Sequence, residues 1–463
     1  MIASFIDWSL RNRFLVLCAA LILVGWGFKA LRDTPVDAIP DLSENQVLVY
    51  ADWTGRGPQE VEDQVTYPIS VNLQGLRGVR AVRATSMFGF SLTTVVFEDR
   101  IPPLEARQRV TERLNLLGAQ LPPGVTPLLG PDATGLGWVY QYYLHVDTNA
   151  APAGYDLGRL RSIQDFNLRQ QLQSVPGVAE VASIGGFLRQ YSVEVNPTRL
   201  RAAGVSLAQV MDALLANHLN VGGKTIEENG QEFLVRGLGL LHGVDDIADV
   251  PVADRNGVPI RIRDVAVVEV GGDFRRGALD VGGEEAVGGI VIMRNGENAM
   301  AVIERVKTRL GEIGPSLPPG VVVRPFYDRS DLIARTIATL KDALVEEVIL
   351  VTLAHVVFLF HFRSILIVTV PLPLSILVSF LLMRFFGITS NIMSLSGIAI
   401  AIGVLVDAGI VMTENVIRHC EEEERRVGRR LGAAETMECT RVAARQVGRP
   451  IFFAMAIIIL AFV

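Results

Sequence analysis

Three long runs of uncharged, mostly apolar residues constrain this chain more than any other feature. They are Phe14–Phe28 near the start, and Ser364–Met383 and Phe385–Val406 in the last third. A helix needs about twenty apolar residues to cross the roughly 30 Å hydrocarbon core of a bilayer. The runs therefore predict a membrane protein, in agreement with a charged fraction of only 20%.

Arginines beside these runs predict the orientation of the helices. Arg11 and Arg13 precede the first run, Arg363 joins the second and third predicted helices, and several arginines follow the fourth. Cytoplasmic loops carry an excess of Lys and Arg, so these groups mark the cytoplasmic side of the membrane. Residues from about 32 to 341 then form a large region outside the cytoplasm.

The predicted membrane part is an α-helical bundle that ends in an apolar tail. Its boundaries are helix one at 1–33, helix two at 335–362, helix three at 363–386, helix four at 390–417, a cytoplasmic loop at 418–446 and helix five at 447–463. The apolar stretch of helix five has about fourteen residues, too few to span a bilayer. This predicts a chain that is truncated inside its fifth helix.

The outer region contains an internal repeat. Arg109–Val125 and Arg305–Val321 align without gaps, and each reads as an amphipathic helix that ends in Leu-Pro-Pro-Gly-Val. A β-rich run, Ser91–Phe97 or Gly288–Met293, precedes each helix. The order predicts an α+β region of two ferredoxin-like, split βαβ modules, with chance recurrence of a common turn as the alternative. The modules are predicted at 34–130 and at 131–184 with 272–334, and a Gly-rich insertion at 185–271.

Composition and motifs exclude several classes of function. A net charge of −6 without a basic stripe excludes a nucleic-acid partner. Gly222-Gly223-Lys224-Thr225 resembles the end of a phosphate loop, but His218 stands where the first Gly is required. A single His419–Cys420 pair lacks the ligand count of a metal site. No cofactor is expected, and an ion gradient is the expected source of energy for active work.

Two carboxylates in predicted helix four are the candidates for proton transfer. Asp407 follows about sixteen uncharged residues, and Glu414 lies two helical turns further, on the same face. A carboxyl inside a bilayer is costly when charged, so it tends to be neutralised, paired or placed on a proton path. A polar contact between helices is the structural alternative for Asp407, and a position near the membrane interface is the alternative for Glu414.

Two further residues in the predicted membrane part, Met393 and His355, are candidates for a role in transport. Met393 opens helix four, where its soft thioether suits transit of a soft metal ion; filling of core space is the alternative. His355 in helix two is expected to be a hydrogen-bond donor between helices rather than a proton relay.

With these residues in view, the chain resembles the permeases of the resistance–nodulation–division superfamily, and within them the heavy-metal exporters of copper and silver. The resemblance covers essentially the whole chain. The segments that carry it are Asn12–Leu17, Thr34–Ser43, Gln64–Pro68, Gly130–Gly135, Tyr327–Ser330, Asn391–Leu395 and Ala399–Asn415.

The resemblance implies a proton-driven antiporter of the bacterial inner membrane rather than an enzyme. It implies a homotrimer that works with a periplasmic adaptor and an outer-membrane channel, with Cu(I) or Ag(I) as the transported ion. The two modules then correspond to porter domains and the insertion to half of a docking domain. By position, Asp407 matches the relay aspartate and Met393 a methionine of the metal path.

Departures from the family pattern leave alternatives open. Leu405 stands where copper and silver exporters can carry another Met, whereas Ala401 and Ala408 argue against the zinc, cobalt and cadmium branch. Family members are roughly twice as long, so the chain is expected to be an N-terminal half. The alternatives are an exporter of divalent metals or organic compounds, and a truncated product or membrane-anchored module that does not transport.

Overall fold

The computed structural model describes residues 2–147, 149–150, 155–255, 257–275, 277–359, 367 and 369–462. Arg363 and the side chain of His355 lie outside this described part, so their predicted roles stay predictions.

Helices and strands alternate in the outer region, and long helices occupy both ends of the chain. The α-helices are α1 Ile2–Arg11, α2 Arg13–Asp33, α3 Pro58–Val61, α4 Tyr67–Gln74, α5 Pro103–Leu117, α6 Leu157–Ile163, α7 Arg169–Gln173, α8 Pro197–Ala203, α9 Leu207–Asn217, α10 Val244–Ala248, α11 Ile262–Val265, α12 Ala299–Ile313, α13 Arg329–Leu359, α14 Pro371–Phe386, α15 Ile392–Val427 and α16 Ala433–Phe462. The strands are β1 Gln46–Asp52, β2 Val79–Met87, β3 Phe90–Phe97, β4 Leu128–Leu129, β5 Trp138–Val146, β6 Val178–Gly185, β7 Arg189–Val195, β8 Val221–Glu228, β9 Gln231–Gly237, β10 Pro251–Arg255, β11 Val258–Arg261, β12 Ala266–Gly272, β13 Leu279–Val281, β14 Glu284–Met293 and β15 Val321–Asp328.

The first outer module is a four-stranded antiparallel sheet covered by helices. Its strands lie in the order β2-β3-β1-β4, so the first strand in sequence pairs with the third and the fourth. The inward residues of β1 and the apolar faces of α4 and α5 share one core, in which Val49, Ile69 and Val110 are almost fully buried. Burial of these alternating apolar positions fixes the register of the strands, because a slip of one residue would expose them.

The second outer module repeats this arrangement around an insertion. β5, β6, β14 and β15 correspond in order to the four strands of the first module, and β14 lies between β6 and β5 while β15 pairs with the other edge of β5. Tyr142 and Val302 lie in its core. The strands predicted at Ser91–Phe97 and Gly288–Met293 are confirmed as parts of β3 and β14.

The helices of the internal repeat also correspond. α5 and α12 each have 15 residues, each is followed by a short 3-10 turn, and their buried positions match: Ala106 with Val302, Val110 with Val306, Leu117 with Ile313. The gapless sequence match therefore reflects matched packing against the two sheets.

The insertion between β6 and β14 has a small core of its own. Leu200, Val210 and Ile262 are buried there beneath the β7–β12 ladder. The β8–β9 hairpin extends away from that core, and every residue of both strands is exposed. Gly222-Gly223-Lys224-Thr225 lies on β8 and not between a strand and a helix, so the segment does not form a phosphate loop.

Three described helices are long and apolar enough to cross a membrane: Arg13–Asp33, Ile392–Val427 and Ala433–Ala461. α14 is a shorter apolar helix of 16 residues. α2, α14 and α15 pack together through one apolar cluster, and its members are Ala30, Leu372, Phe380, Met383, Leu395, Ile398, Ile402 and Val406.

Residues 418–446, predicted as a cytoplasmic loop, are helical for most of their length. α15 continues to Val427, and α16 begins at Ala433 and includes the apolar tail. Charged pairs one turn apart, such as Arg426 with Glu423, support the helix where the apolar pattern stops. Gly428 then ends α15 in the left-handed conformation, with φ of 72°, which favours Gly.

Candidate functional site

The first turn of α15 is fixed by its capping residue. Asn391 accepts hydrogen bonds through Oδ1 from the backbone N–H groups of Met393 and Ser394, at 3.0 and 3.1 Å. The Ser394 hydroxyl in turn accepts from the Asn391 N–H at 2.9 Å. These two residues form a capping box, which satisfies backbone N–H groups that the first turn of a helix would otherwise leave unpaired. The backbone position of Met393 is thereby fixed.

The segment after α2 holds the same helix start from outside. Val36 and Ser390 form a parallel bridge. The N–H of Asp37 donates to the carbonyl of Ser390 at 2.9 Å, and the N–H of Ile392 donates to the carbonyl of Ala38 at 3.2 Å. The entry to α15 is thereby tied to the link between the first membrane helix and the outer region.

One face of α15 is packed and the adjacent face is open. Leu395, Ile402 and Val406 are buried against α2 and α14. Positions seven residues apart share a face with only about 20° of drift, and they form an exposed row that we name the α15 stripe. Its members are Met393, Ile400, Asp407 and Glu414.

The stripe places the three residues predicted from sequence on a single surface. Met393 is 66% exposed and Ile400 56% exposed. At a rise of 1.5 Å per residue, Asp407 lies about 10 Å from Glu414 and about 21 Å from Met393 along the axis. The structure aligns these residues but does not bring them into contact.

Neither carboxylate of the stripe is satisfied inside the described part of the chain. No hydrogen bond or ion pair from the described residues engages the side chain of Asp407 or of Glu414. Asn415, one position further round the helix, is instead buried and donates through Nδ2 to the Ala443 carbonyl of α16 at 3.0 Å. The polar contact between helices is therefore made by Asn415, while Asp407 faces outward.

Sequence reasoning missed a polar junction above the stripe. Arg329, the first residue of α13, donates through Nη1 to Asp37 Oδ2 at 3.1 Å and to the Leu136 carbonyl at 2.7 Å. The Arg329 side chain is only 5% exposed. Asp37 and Arg329 both stood in motifs that carried the family resemblance, but nothing in the sequence indicated that they meet.

A second ion pair lies beside this junction. Asp328 Oδ2 is 2.6 Å from Lys307 Nζ, and Asp328 Oδ1 accepts from the N–H and hydroxyl of Ser330. Burial by itself would raise the pKa of Asp328, but the hydrogen bonds from Lys307 and Ser330 and the Lys307 charge hold it below 3.8. The pair joins α12 of the second module to the start of α13.

Comparison with known proteins places this arrangement in a family. A model of the AcrB/AcrD/AcrF family matches residues 5–463. The chain belongs to that family. The resistance–nodulation–division superfamily predicted from the sequence motifs is therefore confirmed.

Relatives that match this chain carry names that refer to cations or to metals. The chain is 44% identical over 466 residues to Cation efflux system protein CusA of Escherichia coli, a match that covers 100% of this chain and 44% of that protein. It is 37% identical over 465 residues to Cobalt-zinc-cadmium resistance protein CzcA of Cupriavidus metallidurans, with the same coverage.

A solved structure shows the same architecture. The crystal structure of a heavy metal efflux pump superposes with a TM-score of 0.84 at 33% identity, covering 99% of this chain and 44% of the other. The fold is thus that of these permeases, with helices and sheets in the same arrangement. The chain spans less than half the length of the relatives it matches.

Proposed function

We propose that the chain is part of a permease that exports heavy-metal ions, most specifically Cu(I) or Ag(I), in exchange for protons. One observation carries the proposal: Asp407 lies on the exposed α15 stripe of an apolar helix, without a partner among the described residues. A carboxyl in that position is either neutral or paired with a cation supplied from outside the described residues. Alternation between these two states loads and releases one proton.

Glu414 is the second proton site in this proposal. It lies on the same stripe, about 10 Å from Asp407 toward the charged end of α15. That separation is too long for direct proton transfer, so water or a polar side chain must connect the two carboxyls. Glu414 then serves as the exit from Asp407 to the aqueous side.

Met393 is the proposed transit ligand for the metal. Its thioether is exposed at the opposite end of the stripe, and thioethers favour Cu(I) and Ag(I) over harder divalent ions. The similarity to CzcA, whose name refers to cobalt, zinc and cadmium, supports divalent export as the second candidate. Ala401 and Ala408, which argue against the zinc, cobalt and cadmium branch, favour the monovalent reading.

The proposed assembly is a homotrimer in the bacterial inner membrane, with a periplasmic adaptor and an outer-membrane channel. The exposed β8–β9 hairpin supports this, because Ile226 and Phe233, which are paired across its two strands, form an apolar surface without cover in the described chain. We assign ferredoxin-like porter modules to the two sheets, supported by their shared strand order, and a docking role to the insertion. Several crossings of the membrane by the long helices are part of the same proposal.

The test is a metal-resistance assay in a bacterial host that lacks its own exporters. Asp407→Asn, expressed in the natural gene context, removes the proton site and preserves size. We expect loss of copper and silver resistance to the level of an empty vector. Ile400→Leu, on the same stripe, is the matched control and is expected to retain resistance.

Two outcomes would count against the proposal. Full resistance in Asp407→Asn, with membrane insertion verified by immunoblot, would exclude Asp407 as the proton site. Equal protection against copper, silver and zinc by the unaltered protein would favour the divalent or less selective exporter.

A further inference from the structure

The first helix, α1, turns its carboxylate toward the protein and exposes two aromatic side chains. Asp7 is partly buried against α16, where it pairs with Arg445 and lies 3.8 Å from Arg441. Phe5 and Trp8 are 69% and 50% exposed, with no cover among the described residues. Their rings stack with centroids 6.3 Å apart, and we name them the α1 aromatic pair.

Apolar contacts with α16 fix which side of α1 is exposed. A Cβ at Gly448 of α16 would lie 2.6 Å from Cδ1 of Ile6, so the two helices approach closely at this glycine. Ile2 lies beside the same glycine, and both isoleucines are partly covered. The helix is therefore apolar on the side that α16 covers and also on the side of the aromatic pair. A helix that is apolar all round is normally enclosed by protein or by lipid.

Two observations place α1 at the edge of the proposed membrane region. Only Asn12 separates it from α2, and this residue continues the helical hydrogen bonds: its N–H donates to the Trp8 carbonyl at 2.9 Å, and its carbonyl accepts from Val16 at 3.1 Å. At 1.5 Å per residue, Trp8 lies about 8 Å from Arg13, where α2 begins, and a headgroup layer is about 5–8 Å thick. Gly448 also directly precedes the apolar end of α16.

Free positive charges flank the aromatic pair. Arg11 on α1 and Arg13 at the start of α2 are exposed, and no hydrogen bond or ion pair from the described residues engages either guanidinium. Trp is enriched where membrane meets water, and Arg binds phosphate groups in a bidentate manner. Aromatic side chains with unpaired arginines one turn away complement a layer of anionic phospholipid headgroups.

We propose that α1 is an interfacial anchor, with Phe5 and Trp8 in the headgroup layer and with Arg11 and Arg13 bound to the phosphates of anionic phospholipids. The occupant of the exposed face is thus the bilayer surface rather than another protein segment. The anchor also restrains α16, because Asp7 joins α1 to that helix. The proposal rests on the proposed crossing of the membrane by α2 and on no part of the proton or metal path.

The test is tryptophan fluorescence of the full chain in vesicles of phosphatidylcholine and phosphatidylglycerol. Lipids brominated near the headgroup quench a shallow Trp, and lipids brominated near the end of the acyl chain quench a deep one. The signal of Trp8 is the difference between the unaltered chain and Trp8→Phe, and we expect the shallow lipid to quench it more strongly. Trp53→Phe supplies the matched control, because Trp53 packs against the core of the first outer module and its signal is expected to stay unquenched.

The signal of Trp26 separates this proposal from the proposed membrane crossing. Trp26 lies on α2, so its signal, obtained from Trp26→Phe, is quenched when α2 is in the bilayer. Quenching of Trp26 without quenching of Trp8 would overturn the anchor, leave the crossing intact and assign the exposed face to another protein segment. Quenching of neither would overturn both, and stronger quenching of Trp8 by the deep lipid would contradict an interfacial position.

The preference for anionic lipid has its own measurement. A small fraction of brominated phosphatidylglycerol, or of brominated phosphatidylcholine, is added to otherwise unbrominated vesicles, and the ratio of the two Trp8 quenching signals gives the local enrichment of anionic lipid. Arg11→Gln is expected to lower this enrichment by up to about fivefold, the effect of one arginine near an anionic surface. Arg255→Gln, at an exposed position on β10 of the insertion, is expected to leave it unchanged. Equal quenching by the two lipids in the unaltered chain would overturn the assignment of anionic phospholipid.

Discussion

Arg329 and Asp37 form a nearly buried ion pair that joins two parts of the chain far apart in sequence. Nη1 of Arg329 lies 3.1 Å from Oδ2 of Asp37, and their side chains are 5% and 18% exposed. Asp37 follows α2, and Arg329 begins α13, which follows directly after β15 of the second module. The same guanidinium binds the Leu136 carbonyl of the second module, so three structural parts meet at one side chain.

Arg329→Met is therefore expected to destabilise the protein by about 3 kcal/mol, since it leaves a buried carboxylate without its cation. The measurement is the free energy of unfolding in detergent. Arg335→Ala, at an exposed position on the same helix, is the control and is expected to change it by less than about 0.5 kcal/mol.

A double-mutant cycle separates the pair from each residue's other contacts. Arg329→Met with Asp37→Asn is expected to be less destabilising than the sum of the two single changes, because residues in direct contact couple. Strict additivity would show that the ion pair contributes nothing of its own.

Close packing of α2 on α14 depends on Gly27. A Cβ at this position would lie 2.6 Å from Leu377 Cβ and 2.9 Å from the Leu377 carbonyl oxygen, well inside van der Waals contact. Gly27→Ala is expected to separate the helices and cost about 1–3 kcal/mol. Gly25→Ala is a close control, because nothing lies within 4 Å of its Cβ position. Thermal unfolding of the two variants in parallel checks the prediction, and equal melting temperatures would contradict it.

Met393→Leu tests selectivity without removing the proton site. Leu preserves apolar volume but lacks the thioether, so resistance to copper and silver is expected to fall while zinc tolerance stays unchanged. Ile400→Leu, seven residues further along the α15 stripe, controls for a general effect of substitution on this surface. A uniform change in tolerance to all three metals would favour a space-filling role for Met393.

The Asp328–Lys307 pair predicts a specific pH dependence of stability. Since the pKa of Asp328 in the folded protein lies below 3.8, the ionised carboxyl stabilises the fold above pH 3.8. That contribution is lost as the pH falls below 3.8 and through the folded pKa.

Asp328→Asn is therefore expected to reduce the unfolding free energy more at pH 7 than at pH 3. Urea titrations at both pH values measure the difference. Asp331→Asn, an exposed carboxyl on α13, is expected to show no comparable pH-dependent difference. The same loss at both pH values for Asp328→Asn would assign its effect to packing rather than charge.

Local features were largely readable from the sequence. Helical periodicity by itself places Glu414 two turns from Asp407, and the structure has both on one exposed face of α15. The repeated Leu-Pro-Pro-Gly-Val segments marked two helices with matching bounds, because Pro and Gly end a helix for local reasons. The extent of α15 was not readable in the same way, since charged pairs continue the helix beyond its apolar run.

Contacts between distant segments had no signal in a single sequence. The sequence by itself determined the long apolar helices, the two related modules and the helix face that Asp407 shares with Glu414, because periodicity and turn chemistry act over a few residues. Only the tertiary structure decided that Arg329 meets Asp37 and that Asn415 rather than Asp407 joins two helices. Those contacts depend on how helices and sheets pack, and packing is set by the whole chain rather than by any local pattern.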